Sequence, residues 1–138
     1  MSMNLIPGVE ATGSALYAEK LRLDVIAQNI ANANTTNADG EAYKRKIVSF
    51  EEHLGKASDG NQYKGVRVSK ISDDETPGHK IYNPHHPDAN AEGYVEMPNV
   101  ELSKEMVDLI TASRSYEANL TVVRTARQMT TQALAIGR

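Results

Sequence analysis

The sequence has no cysteine and no tryptophan, and its 138 residues include only one phenylalanine and six tyrosines. Without cysteine the chain can form no disulfide, no thiolate nucleophile and no cysteine-ligated zinc or iron–sulfur centre. With so few aromatic rings, a large aromatic core is not expected. Hydrophobic residues make up 40% of the chain. They are mostly aliphatic, which suits helix seams better than a thick globular interior.

Excess charge and long apolar runs are also scarce. The net charge of −3 gives no electrostatic attraction to nucleic acid or to an acidic membrane surface. No run approaches the roughly 20 apolar residues that span a bilayer. Residues 1–7 lack the basic and apolar regions of a secretory signal peptide. We therefore expect no nucleic-acid binding and no membrane insertion, and a chain that is either cytosolic or exported without signal cleavage.

An apolar repeat of seven residues predicts a helix over residues 5–34. Such a repeat is typical of a helix that packs along another helix. The repeated positions are Val9, Leu16, Leu23 and Ile30. Asparagine favours the turn conformations found at helix ends. The residues predicted to end the helix and offer a packing surface are Asn29, Asn32, Asn34 and Thr35.

The middle of the chain has the alternating pattern and turn residues of short strands. The predicted strands lie near residues 46–52, 66–69, 80–82 and 94–97, and we expect residues 53–63 to be mobile. A second long helix is predicted over residues 99–136, with Asn99 as its N-cap. Its best seam positions are Leu109, Tyr116, Leu120 and Val123.

These elements predict a mainly α protein with a small β-rich insert. The three parts are an N-terminal helix in residues 1–34, a linker and insert in residues 35–98, and a C-terminal helix in residues 99–138. We expect the two long helices to pack as a coiled-coil-like pair. Each carries more aliphatic surface than the small insert can cover, so further helices from neighbouring chains would complete the core.

Three clusters contain residue types that can carry chemistry. His85, His86 and Asp88 are metal-ligand types, but adjacent histidines on an extended chain point in different directions. Residues 44–46 (KRK) could bind phosphate, although nearby acidic residues favour a solvated strand or a protein contact. Residues 113–119 contain two serines but no nearby histidine, so we predict packing rather than catalysis. We expect no catalytic residue, no metal and no cofactor.

Three segments resemble the flagellar basal-body rod protein family. They are residues 29–35 (NIANANT), residues 86–100 (HPDANAEGYVEMPNV), and residues 105–108 (EMVD) followed by 113–119 (SRSYEAN). Residues 36–42 form a longer spacer after the first segment than the common family form has, and this spacer resembles the proximal rod members. Residues 53–78 carry little of the resemblance.

The resemblance implies a structural subunit of the proximal rod, the axial drive shaft around the export channel. The implied partners are copies of itself, other proximal rod proteins, the rod adaptor protein at the base, distal rod proteins and the flagellar type III export apparatus. The implied location is the basal body in the periplasm, reached without a cleaved signal peptide. The motif residues implied to make assembly contacts include Arg114, Glu117 and Asn119.

Three alternatives remain open from the sequence. The chain could be another rod-family subunit, although its short middle argues against a distal rod or hook protein. It could be a small metal-dependent hydrolase that uses His85, His86 and Asp88. It could also be a cytosolic coiled-coil adaptor.

Overall fold

A computed structural model describes residues 8–36, 41–56 and 62–137. Two long helices enclose four strands in chain order. The elements are α1 (Val9–Ala31), β1 (Lys46–Lys56), β2 (Gln62–Asp73), β3 (Lys80–Tyr82), β4 (Tyr94–Glu96) and α2 (Leu102–Ile136). The prediction of a mainly α chain with a small β-rich region between its long helices is confirmed. None of the helices in the described ranges is long and apolar enough to cross a membrane.

Helix α1 is shorter than predicted because specific residues end it. Gly8 precedes the helix in the left-handed conformation, at a φ of 105°, which glycine adopts without steric cost. At the other end, Asn32 donates from its backbone N–H and from its side-chain amide to the carbonyl of Gln28, at 3.0 and 2.8 Å. These bonds satisfy a terminal carbonyl and stop the helix. Residues 5–7 of the predicted helix lie outside the described residues.

Helix α2 begins at Leu102, three residues later than predicted. The predicted N-cap, Asn99, is wrong, since Glu101 holds that position and makes no side-chain capping bond. The Asn99 side chain instead accepts a hydrogen bond from the N–H of Arg45 at 2.7 Å. It also donates to the carbonyls of Asp74 and Thr76, both at 2.9 Å. Asn99 therefore joins chain segments that are far apart in sequence.

Strands β1 and β2 form a long antiparallel hairpin, with a bulge between Ser49 and Phe50. The strands reach further than predicted, because residues 53–56 and 62–63 are also paired. The remaining residues of the segment expected to be mobile, 57–61, lie outside the described residues. One face of the hairpin collects aliphatic and aromatic side chains, and these are Val48, Phe50, Leu54, Val66, Val68 and Ile71. Four of these six side chains are exposed.

Strands β3 and β4 form a separate small antiparallel sheet. The rings of Tyr82 and Tyr94 meet edge to face across it, with centroids 5.3 Å apart. Val95 on β4 and Pro98 just after it are buried. This small sheet carries the chain from the hairpin to the start of α2.

The two helices pack against each other. A contact between Asn29 and Glu105 joins the end of α1 to the start of α2, so the helices run antiparallel. The apolar residues that α1 and α2 bury most deeply are Ala18, Val25, Ile26, Ala112 and Ala126. Three of these five buried residues are alanines.

Helix α1 buries a different stripe from the one that its seven-residue repeat picks out. The predicted positions Val9, Leu16 and Leu23 are half-buried. Ala18 and Val25 each follow one of the positions Leu16 and Leu23 by two residues, and both are fully buried. Two residues along an α-helix turn a side chain by about 200° around its axis. Ala18 and Val25 lie beside side chains of the hairpin, so the most deeply buried stripe of α1 faces the hairpin.

Candidate assembly site

A buried asparagine connects the end of α1 to the hairpin. The Asn29 side chain is 1% exposed. Its amide donates to the carbonyl of Lys46 at 2.9 Å and to Oε2 of Glu105 at 3.1 Å. Its oxygen accepts from the N–H of Lys46 at 2.9 Å and from the hydroxyl of Tyr43 at 3.0 Å. All four hydrogen-bonding positions of the side chain are thereby used.

The Tyr43 hydroxyl is kept in its protonated, donating form. Partial burial is the main cause that raises the pKa of Tyr43 above its ordinary value, because a phenolate would lose hydration there. The Lys46 ammonium opposes this shift, and the carboxylates of Asp73 and Glu105 add to it. The donation from Tyr43 to Asn29 therefore persists throughout the neutral range.

A carboxylate with no solvent exposure lies next to Asn29. Glu105, in the first turn of α2, is 0% exposed. Its Oε1 accepts from Nε of Arg45 at 2.5 Å. The guanidinium of Arg45, 18% exposed, also lies 3.5 Å from Asp108 and 3.9 Å from Asp74. A buried charge is tolerated only when it is paired and hydrogen-bonded, and Glu105 meets both conditions.

We call this connected set the polar joint. It links α1, the start of β1, the loop after β2 and the first turn of α2. Its members are Asn29, Tyr43, Arg45, Asn99 and Glu105. Sequence reasoning placed Asn29 in a helix-end motif but missed the joint itself.

The expectation of a solvated basic run at residues 44–46 is correct only for its outer members. Lys44 pairs with Glu75 at 3.0 Å and Lys46 with Asp73 at 2.9 Å, both at the surface. These bonds raise the pKa of each lysine above its ordinary value. Arg45, the residue before β1, lies between them and turns inward, because side chains alternate along an extended chain. This alternation was the sequence signal for a buried Arg45.

The other predicted assembly residues lie along both helices. On and after α1, the half-buried ones are Val9, Leu16, Leu23, Ile30, Asn32 and Thr35, while Asn34 is exposed. On α2, the half-buried ones are Leu109, Tyr116, Asn119, Leu120 and Val123, while Arg114 and Glu117 are exposed. Only Asn29 of the predicted set is fully buried, and the role of the others in assembly stays a prediction.

Helix α2 exposes large apolar side chains. Near its start, Val107 is 63% and Ile110 is 56% exposed. The exposed apolar set of α2 consists of Leu102, Met106, Val107, Ile110, Val122, Met129, Leu134 and Ile136. Leu102, Met106 and Ile110 follow one another at four-residue spacing on one face of the helix, and exposed apolar patches mark interaction sites. Leu102, Met106 and Leu134 continue the spacing of the predicted seam on α2, but all three are exposed.

The metal-ligand types do not assemble into a site. Asp88 accepts from the Thr36 hydroxyl at 2.5 Å, and its own N–H donates to Nδ1 of His86 at 3.1 Å. Within the ranges that the structure describes, no three His, Asp or Glu side chains form a group that could hold a metal ion. Asp88 instead ties its loop to Thr36, the residue that follows the first sequence motif.

Comparison with known proteins gives the same family at both ends of the chain. A family model described as "Flagella basal body rod protein" matches residues 10–38. A second, "Flagellar basal body rod FlgEFG protein C-terminal", matches residues 91–136. The flagellar basal-body rod protein FlgC of Bacillus subtilis is 41% identical, with 99% of this chain and 100% of the relative covered. The chain belongs to the FlgC family of flagellar basal-body rod proteins.

Two further relatives agree with this assignment. FlgC of Yersinia enterocolitica is 42% identical and FlgC of Salmonella typhimurium 40% identical, each with 99% of this chain and 100% of the relative covered. The chain is thus a structural subunit of the flagellar basal-body rod. Its relatives are rod proteins and not enzymes, which favours this function over the hydrolase and adaptor alternatives. The polar joint connects the two matched segments in the folded chain, since Asn29 belongs to one segment and Glu105 to the other.

Proposed function

We propose that this chain is a proximal rod subunit that polymerises around the export channel, with neighbouring chains completing its core. The observation that carries the proposal is the exposed apolar set of α2. In the free chain these side chains face water, whereas in a stack of subunits each would be covered. Contacts between different surfaces of successive subunits generate a helical array.

The core of the proposed rod is an antiparallel, coiled-coil-like pair of α1 and α2 in each subunit. The Asn29–Glu105 contact supports one register. Carried along both helices at heptad spacing, that register sets Val25 against Leu109 and Ala18 against Tyr116. We assign the helical core to residues 1–34 and 99–138, and the insert to residues 35–98.

The proposed partners are copies of this chain, the other proximal rod proteins, the rod adaptor protein at the base and the distal rod proteins. The proposed route to the periplasm is the flagellar type III export apparatus. The predicted assembly residues along α1 and α2, from Val9 to Val123, are proposed to make subunit contacts. We propose no catalytic activity for the chain.

The test places a charge in the exposed apolar set. Ile110→Glu removes apolar surface that the free chain leaves in water, so the helix content and unfolding midpoint of the purified variant should match those of the parent. In a strain that lacks the natural protein, the variant should fail to enter isolated basal bodies and should abolish motility. The control Gln128→Glu adds the same charge to the same helix without removing apolar surface.

Normal incorporation of Ile110→Glu, at parental levels, would contradict a subunit contact at this position. Loss of incorporation by Gln128→Glu as well would show that α2 tolerates no added charge, and the exposed apolar set would then carry no special role. A parental chain that does not restore motility in that strain would contradict the rod function as a whole.

A further inference from the structure

We propose that the polar joint is a positioning device, which holds the β1–β2 hairpin at one orientation on the helix pair. This inference goes beyond the rod function because it concerns how the free chain is built. The residues of the polar joint act by fixing the backbone and side chains at the base of the hairpin. The consequence is a subunit whose hairpin and helices behave as one rigid body.

The first step in the argument is that two asparagine side chains clamp the base of the hairpin. Asn29 binds both the N–H and the carbonyl of Lys46, as a neighbouring strand would. Asn99 binds the N–H of Arg45 and the carbonyls of Asp74 and Thr76. The backbone N–H of Asp74 donates to the carbonyl of Arg45 at 2.7 Å. The start of β1 and the residue after β2 are thus held from both sides.

The second step is that the clamp is tied to α2 by a buried charge pair. A swing of the hairpin about its base would draw Arg45 away from Glu105, which has no solvent exposure. An unpaired carboxylate at such a site is strongly unfavourable. The Asn29 amide bonds the same carboxylate, so the whole network is satisfied in a single arrangement.

The third step is a second anchor further along the hairpin. The N–H of Val66 donates to the Ser14 hydroxyl at 3.0 Å. Ser14 lies fifteen residues before Asn29, which corresponds to about 22 Å along α1. Gly65 makes this approach feasible, because a Cβ there would lie 2.5 Å from the Ser14 hydroxyl oxygen. Strand β2 also packs along α1, and the polar joint adds the directional contacts that fix the orientation of the hairpin's base.

Paired spin labels on the full-length chain test the inference, and the absence of native cysteine makes the labelling specific. One pair, Lys70→Cys with Gln128→Cys, measures the distance from hairpin to helix. A reference pair, Lys20→Cys with Gln128→Cys, measures the distance between the helices. All three positions are exposed. We expect one narrow distance for each pair, and a broad hairpin-to-helix distribution in this parent would overturn the proposal.

The decisive variant replaces the charge pair by apolar side chains of similar size, Arg45→Met with Glu105→Leu. Such replacement of a buried ion pair often preserves stability. We expect the hairpin-to-helix distance to lose its single narrow peak while the reference distance stays narrow. The matched control Lys44→Gln removes an exposed ion pair from the same segment and should leave both distances unchanged. A narrow hairpin-to-helix distance in the double variant would overturn the proposal.

A broad distance for the reference pair would show that the double variant does not fold. In that case a less disruptive variant tests the proposal. Asn99→Asp keeps the acceptor for the Arg45 N–H but loses both donated bonds, and it leaves the Arg45–Glu105 pair intact. We expect it to broaden only the hairpin-to-helix distance. An unchanged distance would contradict a positioning role. Because these measurements use the free chain, they succeed or fail independently of incorporation into basal bodies.

Discussion

Arg45→Met should be one of the most destabilising single substitutions in this chain, because it leaves the carboxylate of Glu105 without a cationic partner. Glu105 is 0% exposed and keeps only the bond from the Asn29 amide. Removing one member of a buried ion pair typically costs about 3–5 kcal/mol. Since 18% of the Arg45 side chain is exposed, solvent already screens part of the pair. We therefore expect a loss near the lower end, about 3 kcal/mol.

The assay is urea unfolding of the purified chain, followed by far-ultraviolet circular dichroism. Native domains are stable by about 5–15 kcal/mol, so the variant should retain a folded baseline. Adding Glu105→Leu should restore most of the loss, because no buried charge is then left unpaired. Lys44→Met, which breaks an exposed pair with Glu75, should cost less than about 1 kcal/mol. A cost below about 1 kcal/mol for Arg45→Met, or no recovery in the double variant, would refute the reasoning.

Three further substitutions should change the stability of the chain, one by raising it, one by lowering it and one by altering its dependence on pH. Gly13→Ala should stabilise the chain to unfolding by about 0.5–1 kcal/mol, because a Cβ there meets nothing within 4 Å and alanine favours helix. Gly78→Ala should lower the unfolding midpoint, because its Cβ would overlap the carbonyl oxygen of Met97, at a cost of about 1–3 kcal/mol. Thr76→Val should flatten the acid dependence of stability. The hydrogen bond from the Thr76 hydroxyl, which valine lacks, is the largest cause that lowers the pKa of Asp74. Its contribution to stability is present above the unfolded pKa near 4 and is lost as pH falls below it. Equal acid sensitivity of parent and variant would contradict this last prediction.

Local patterns predicted the elements of the fold well, because their causes lie within a few residues of one another. Alternation marked both strands of the hairpin, although it underestimated the length of each. The position of Asn99 could not be predicted in this way. As a residue before a helix it resembles an N-cap, but its partners are 23 to 54 residues away in sequence. Only the folded chain brings those partners together.

The seven-residue repeat on α1 shows a second limit of local patterns. A repeat of large aliphatic residues says that some partner covers them, but not which one. The stripe through Leu16 and Leu23 is half-buried, whereas Ala18 and Val25, which lie beside the hairpin, are buried. Small residues carry little hydropathy signal, so a search for large side chains passes over an alanine contact. The motif resemblance, in contrast, identified the family without locating any contact.

On α2 the fully buried apolar side chains are small, whereas many of the exposed ones are large. Ala112, completely buried, and Ala126 lie where α2 is covered within the chain, and an alanine buries far less apolar area than a leucine or isoleucine. The fully buried positions of α2 therefore contribute modest hydrophobic stabilisation, and the polar joint supplies the fixed geometry. The side chains that would yield about 1.5–3 kcal/mol each on burial, such as Met106 and Ile110, remain outside. A chain arranged in this way gains most from association with neighbours while already holding the shape that they must recognise.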